Sequence, residues 1–206
     1  MRDEVSGSKS TRDIQRFSRW ARTYDDSWVQ RFFDRVHQTM LNVVANEASE
    51  PQSILDVGCG TGRLLRKAGA RWPAARLIGA DPAEGMVEVA RRTTPAATFH
   101  IAMAESLPLP DASVDIVLSS ASFHHWSDQA AGLREIARVL RLDGHLCLAD
   151  VTMPAWLAKI LRHSKAKSPT ALHWFFTQAG LHVETQRPIL ARFVLVTLGV
   201  KISRAE

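Results

Sequence analysis

The chain has 206 residues, 46% of them hydrophobic, and its 26 Lys and Arg against 21 Asp and Glu give a net charge of +5. That length suits one domain with a sizeable core, and the composition excludes a disordered chain. No apolar run reaches the roughly 20 residues of a membrane helix, and the opening MRDEVSGSKSTRD has no apolar signal core, so a cytoplasmic chain with no membrane span is expected.

In chain order, residues 1–13 read as a disordered tail. A helical pattern starts at Ile14, with Phe17 and Trp20 on one side, and a stronger one follows in which Trp28, Val29, Phe32, Phe33, Val36, Met40, Val43 and Val44 recur at helical spacing. Pro51 ends this segment. Strands and helices then alternate: a buried strand over 53–57, a helix stopped by Pro73, a strand over 76–80, a helix over 83–93, and strands over 97–102 and 114–120. A helix over 128–141, a DG turn at 143–144 and a fifth strand over 145–151 complete the series. Such alternation predicts a doubly wound α/β sandwich with a parallel sheet and helices on both faces. A helix over 168–180, closed by Gly180, leads to strands over 181–187 and 192–200. Their short link demands an antiparallel hairpin at the sheet edge. One domain is expected over 14–206.

The stretch ILDVGCGTGRL carries glycines at 58, 60 and 62 after the first strand, where open α/β sheets bind ligands. A dinucleotide fingerprint would need a glycine at 63, which is Arg63, and a P-loop would need G-K-[ST], which is missing. Asp56, just before the turn, repels a pyrophosphate and suits an ammonium group, although it could equally cap the following helix. Asp81 ends the second strand about 20 residues on, where a carboxylate accepts ribose hydroxyls. Met86, one helical turn later, offers a wall for a base, or is simply core. Glu105 follows the third strand, where it could meet an adenine amino edge. The implied ligand has a ribose, an adenine and an amino acid, and no phosphate.

LDVGCGTGRL, GADPAEGMVEVA, AESLPLPDASVDIVLSSASFHHW and REIARVLRLDGHLCLADV together resemble the motifs of class I S-adenosylmethionine-dependent methyltransferases. The resemblance spans roughly residues 15 to 200. It is nearest to the small-molecule enzymes of ubiquinone and menaquinone biosynthesis. It implies a Rossmann-like, seven-stranded sheet and S-adenosylmethionine as cofactor. Residues 14–50 would form an N-terminal helical lid, 51–151 the cofactor-binding core, and 152–206 the acceptor side. The resemblance further implies that backbone at Gly58, Cys59 and Gly60 contacts the amino-acid part of the cofactor, supported by Asp56. Asp81 would bind the ribose, Met86 would pack on the adenine, Ala104 and Glu105 would bound its edge, and Ser119 would lie near the methionine moiety. Tyr24 would close over the cofactor from the lid.

Methyl transfer is an in-line displacement that needs alignment, exclusion of water and, for some acceptors, a base. His124 and His125, in SFHHW after the fourth strand, are candidate bases, and Asp150 at the end of the fifth strand is another; the two histidines could also be structural. No [DN]-P-P-[YFW] follows the fourth strand, which argues against nucleic-acid amino methylation. The cysteine pair of RNA cytosine-C5 enzymes is missing, and no acidic cluster suggests a metal. Trp156, Trp174, Phe175 and Phe176 suggest an apolar or aromatic small-molecule acceptor, or a helix core. The cluster Lys159, Arg162, His163, Lys165 and Lys167 could steer an anionic partner or be a solvated loop. The short segment 153–169 leaves the acceptor site open or completed by a second copy of the chain. Two rival readings stand beside the enzyme: a non-catalytic S-adenosylmethionine-binding regulator, and an RNA-modifying methyltransferase.

Overall fold

The computed structural model describes residues 3–26, 29–48, 50–152 and 166–203, of which 3–10 and 29–31 are described as helical backbone only. Helices α1 (Asp3–Tyr24) and α2 (Val29–Glu47) precede β1 (Ser53–Val57), α3 (Arg63–Arg71), β2 (Arg76–Asp81), α4 (Glu84–Thr93), β3 (Thr98–Ile101) and β4 (Val114–Ser120). After a 3-10 turn at Phe123–His125 come α5 (Gln129–Val139), β5 (Leu140–Val151), α6 (Pro169–Gln178), β6 (Leu181–Ile189) and β7 (Val194–Lys201). The strands form one seven-stranded sheet in the order β3-β2-β1-β4-β5-β7-β6. The first five pair parallel, and β7 runs antiparallel to both β5 and β6. The hairpin is therefore antiparallel as expected, with its later strand inserted beside β5 and its earlier strand left at the edge.

Side chains of a strand alternate between faces, so β1 feeds two cores. Ile54 joins a cluster with Val36, Met40 and Val44 of α2 and Leu64 and Leu65 of α3. Leu55 and Val57 join the opposite cluster with Leu133 and Ile136 of α5 and Phe176 of α6. By the same parity Asp56 lies on the face that α2 and α3 cover. It sits at the carboxyl end of β1, beside the switch point where the sheet order turns from β2 to β4.

Three boundaries differ from the sequence expectation. The disordered tail expected over 1–13 is replaced by α1, whose backbone is helical from Asp3. Its described part is held by docking on α4: Ala21 is buried with Ala83 and Met86, and Ile14 and Phe17 pack alongside. Gly85 permits that approach, since a Cβ there would lie 2.3 Å from the Ser18 carbonyl oxygen. A polar segment gains this helix from tertiary contact, which local propensity does not register. The helix expected to reach 141 ends at Val139. The DG turn is a bulge inside β5, with Asp143 at φ 60° and a register shift between Val114 and Ile116.

Among the described residues no helix is long and apolar enough to cross a membrane. Trp156, Lys159, Arg162, His163 and Lys165 lie outside the described residues.

Candidate functional site

A cleft opens at the carboxyl ends of β1, β2 and β4, and α1 covers it. It encloses about 800 Å³, counting its open mouth. Its floor is the turn after β1. Gly58 and Gly60 take φ of 73° and 51°, in the left-handed region, and their backbone N–H groups point inward to protein acceptors. Gly58 and Cys59 donate to the Ala80 carbonyl, and Gly60 donates to Asp81 Oδ2 at 2.9 Å. Asp81 Oδ1 also accepts from the Ala83 amide at 2.8 Å. Each oxygen of this buried carboxylate is thus held by one backbone donor and keeps a lone pair for a ligand. Burial raises the Asp81 pKa, and these two amide bonds oppose the rise.

Met86, Ala104 and Glu105 line the same cleft, as do Tyr24 and His125. Glu105 also accepts from the Asp128 amide at 2.9 Å, which fixes one of its oxygens. The lid contributes Asp13, Ile14, Phe17 and Tyr24, with Trp20 edge-on to Tyr24 at 4.8 Å. The lid is pinned by Asp25, which accepts from Thr61 Oγ1 at 2.6 Å and pairs with Arg66 at 3.2 Å.

A smaller cavity adjoins the cleft on the α2 side of the glycine turn. Asp56, Cys59, His37 and Arg63 line it, and Tyr24 borders both spaces. Asp56 is buried and its carboxylate meets no hydrogen-bond donor among the described residues. Burial, and then the charge of Asp81, push its pKa up to about 8. Cys59 is a buried free thiol whose pKa burial drives upward, so it is a wall and not a nucleophile.

The loop after β4 lies directly on the glycine turn. Ser122 Oγ donates to the Val57 carbonyl at 3.0 Å and accepts from Trp126 Nε1 at 3.2 Å. The adjacent histidine rings lie 4.0 Å apart, tilted at 43°, and take different partners. His125 faces the cleft, edge-on to Phe17 at 5.2 Å and 3.6 Å from Asp13. Burial, with His124 adding to it, lowers the His125 pKa to about 4, so this ring is neutral. His124 turns to Asp150: its Nδ1 lies 2.6 Å from Oδ1, and its backbone amide donates to Oδ2 at 2.8 Å. An ionised Asp150 accepts the Nδ1–H and leaves Nε2 as the basic nitrogen.

Of the residues expected from sequence, Tyr24, Asp56, Gly58, Cys59, Gly60, Asp81, Met86, Ala104, Glu105 and His125 converge on the two spaces. His124 and Asp150 form a pair beside the cleft without lining it. Ser119 lines neither space: it is fully buried and bonded to Ser122 Oγ at 2.8 Å, while Ser120, Ala121 and Ser122 line the cleft. Phe176 is core, Phe175 packs on Phe123, and Trp174 is exposed; none lines either space. Lys167 Nζ lies over the Phe175 ring at 5.4 Å. Sequence reasoning missed Asp13, Asp25, His37 and Ser122. Each enters through tertiary placement, and only the amphipathic pattern of the first two helices could have hinted at Asp13 and His37.

The methyltransferase domain family matches residues 55–148. Malonyl-acyl-carrier protein O-methyltransferase from Hahella chejuensis is 41% identical over 47% of this chain and 35% of its own length. Demethylmenaquinone methyltransferase from Deinococcus radiodurans is 35% identical over 52% of this chain and 46% of its own. The chain therefore spans less than half the length of these two curated relatives. A chain from the Haloferax volcanii complex of the Trm112 methyltransferase activator superposes with a TM-score of 0.79 at 25% identity, covering 92% of this chain and 99% of that one. Residues 55–148 thus match the methyltransferase domain family, and the sheet has the fold of the methyltransferase-complex chain it superposes on.

Proposed function

We propose that the chain, working as one domain over 14–206, transfers a methyl group from S-adenosylmethionine to a small aromatic or apolar acceptor. The observation that carries this reading is the buried Asp56 carboxylate, which lines a cavity and meets no hydrogen-bond donor among the described residues, next to an Asp81 held ready by two amides. A ligand with an ammonium group and a ribose diol satisfies both, and one with a pyrophosphate satisfies neither. Asp56 would hold the ammonium, the backbone of Gly58, Cys59 and Gly60 the amino-acid chain, and Asp81 the ribose. Met86 would pack on the adenine, with Ala104 and Glu105 at its edge. Ser119 supports this surface from below, through Ser122.

When bound, the cofactor supplies a methyl group on a positively charged sulfur that leaves as a neutral thioether. The protein then has to orient the acceptor, exclude water and place its proton. Phe17, Tyr24 and the rest of α1 screen the cleft from solvent. His125, a neutral ring between Phe17 and Asp13, walls the acceptor side. His124, which stands beside the cleft, would take the proton of an acidic acceptor on Nε2 through a water, and Asp150 would stabilise the imidazolium that results. An acceptor arriving as a neutral amine would not need this step. The names of the relatives, an O-methyltransferase and a quinone methyltransferase, support an oxygen or quinone-type acceptor.

Calorimetry with S-adenosylhomocysteine is the first test, followed by an acceptor screen over phenols, carboxylic acids and quinone precursors. Micromolar binding that Asp81→Ala abolishes is expected. Wild-type protein that does not bind sinks the reading, and binding with no turnover on any acceptor returns the regulator reading.

A further inference from the structure

His37 has no role in the site as described so far, yet its position is unusual. It stands on α2, is 6% exposed, and lines the small cavity with Asp56. Its Nδ1 is buried and has no hydrogen-bond partner. The ring stacks on Phe33 at 6.3 Å, so one face is packed. A fully apolar residue would suit that contact better, because a buried polar atom left unpaired costs stability. Burial, with Lys67 and Arg63 adding to it, lowers its pKa to about 3. The ring is therefore neutral and offers an N–H without a charge.

The cavity brings together groups of both signs: Asp56 lines it, and so do His37 and Arg63, the first residue of α3. Gly62 caps α3 without any side-chain bond, which leaves first-turn amides and the positive end of the helix dipole there. Arg63 is itself held by Asp34 at 2.7 Å, so its charge is partly spent. A zwitterionic amino acid, with ammonium and carboxylate on one carbon, suits a cavity lined by both an acid and N–H donors.

We propose that His37 is a binding residue for the carboxylate of the cofactor's amino-acid end, donating a neutral N–H in the cavity that Asp56 also lines. This rests on the methyltransferase reading of the same site. It explains why a helix otherwise devoted to the core carries a histidine at this position. It also makes the N-terminal segment part of the binding surface, since α2 reaches the ligand from the far side of the glycine turn. Arg63 and the α3 amides share the carboxylate, so His37 sharpens selection of the amino-acid end rather than creating it alone.

The test compares three ligands by calorimetry: S-adenosylhomocysteine, decarboxylated S-adenosylmethionine, which keeps the ammonium, and 5′-methylthioadenosine, which has no amino-acid end. In His37→Phe, binding of S-adenosylhomocysteine should weaken about tenfold or more. Binding of the other two should stay within about twofold. His37→Gln, which keeps a donor, should recover part of the loss. Unchanged S-adenosylhomocysteine binding in His37→Phe overturns the proposal, as does equal weakening of all three ligands, which marks a packing role. Failure of the wild type to bind 5′-methylthioadenosine and S-adenosylhomocysteine alike overturns the methyltransferase reading instead, and His37 with it.

Discussion

Gly58 and Ser122 are pressed together so closely that a Cβ on Gly58 would lie 2.3 Å from Ser122 Cβ. One residue belongs to the turn that would hold the cofactor, and the other starts the 3-10 turn that carries both histidines. Their contact sets the distance between binding and chemistry. Gly58→Ala adds a side chain where none fits, at a φ of 73° that L-residues avoid. It should destabilise the protein by about 2 kcal/mol or more and weaken S-adenosylhomocysteine at least about tenfold. Thermal unfolding and calorimetry check this. The double variant Gly58→Ala with Ser122→Gly should recover part of the stability, and no recovery means the strain lies in the backbone alone.

Much of this architecture was legible because buried parallel strands announce themselves. β1 and β4 are short apolar runs bounded by polar turns, and their limits at 53–57 and 114–120 agree with the structure. β5 was misread at its start because Asp143-Gly144 carries turn chemistry, and only the sheet shows that the turn is spliced into a continuing strand. Ser119 lies behind the cleft wall because alternation along β4 turns it to the other face from Ser120, and Ala121 at φ 52° then ends that alternation. His37 and Asp25 were invisible because nothing in a helix or a connecting link states which strand end it will cover.

Asp56 makes a pH prediction. Its folded pKa is raised to about 8 by burial and the Asp81 charge, against an ordinary value near 4 in the unfolded chain. Between those values the unfolded chain ionises and the folded protein does not. The contribution of Asp56 to stability is therefore full below about pH 4, falls as pH rises, and is lost by about pH 8. At about 1.4 kcal/mol per pH unit, stability should drop by up to roughly 3 kcal/mol between pH 5 and 7. Asp56→Asn should remove that slope in urea unfolding of the ligand-free protein. A wild-type slope unchanged in Asp56→Asn would show that this carboxyl ionises normally.

Binding of an ammonium group reverses the preference, because it favours the ionised carboxylate. Affinity for S-adenosylhomocysteine should rise with pH up to about 8, with a proton released on binding. Calorimetry in two buffers of different ionisation enthalpy counts that proton. A pH-independent affinity would mean that the ammonium is met elsewhere.

His124 and Asp150 should matter for turnover and not for cofactor binding. His124→Gln keeps a polar side chain but removes the basic nitrogen. It should lower methyl transfer to a phenolic or enolic acceptor by about 100-fold or more and leave S-adenosylhomocysteine affinity within about twofold. Asp150→Asn should lower turnover as well, since an imidazolium formed on His124 loses its counter-charge. His125→Phe, which changes a wall of the cleft, should act on acceptor binding instead. Equal effects of all three changes on binding would point to a collapsed loop.

The last prediction concerns the lid. Tyr24 ends α1, and the next residue, Asp25, is tied to Thr61 and Arg66 on the α3 side of the glycine turn. Asp25 and Arg66 are each about a third exposed, so their ion pair contributes little to global stability, about 1 kcal/mol or less. Its effect should instead be local, because it fixes the link that holds α1 over the cleft. Asp25→Ala should therefore barely move the thermal midpoint, while amide exchange over residues 11–26 accelerates and S-adenosylhomocysteine binds several-fold more weakly. Unchanged exchange in that segment would mean that the docking of Ala21 and Phe17 on α4 holds the lid without help from Asp25.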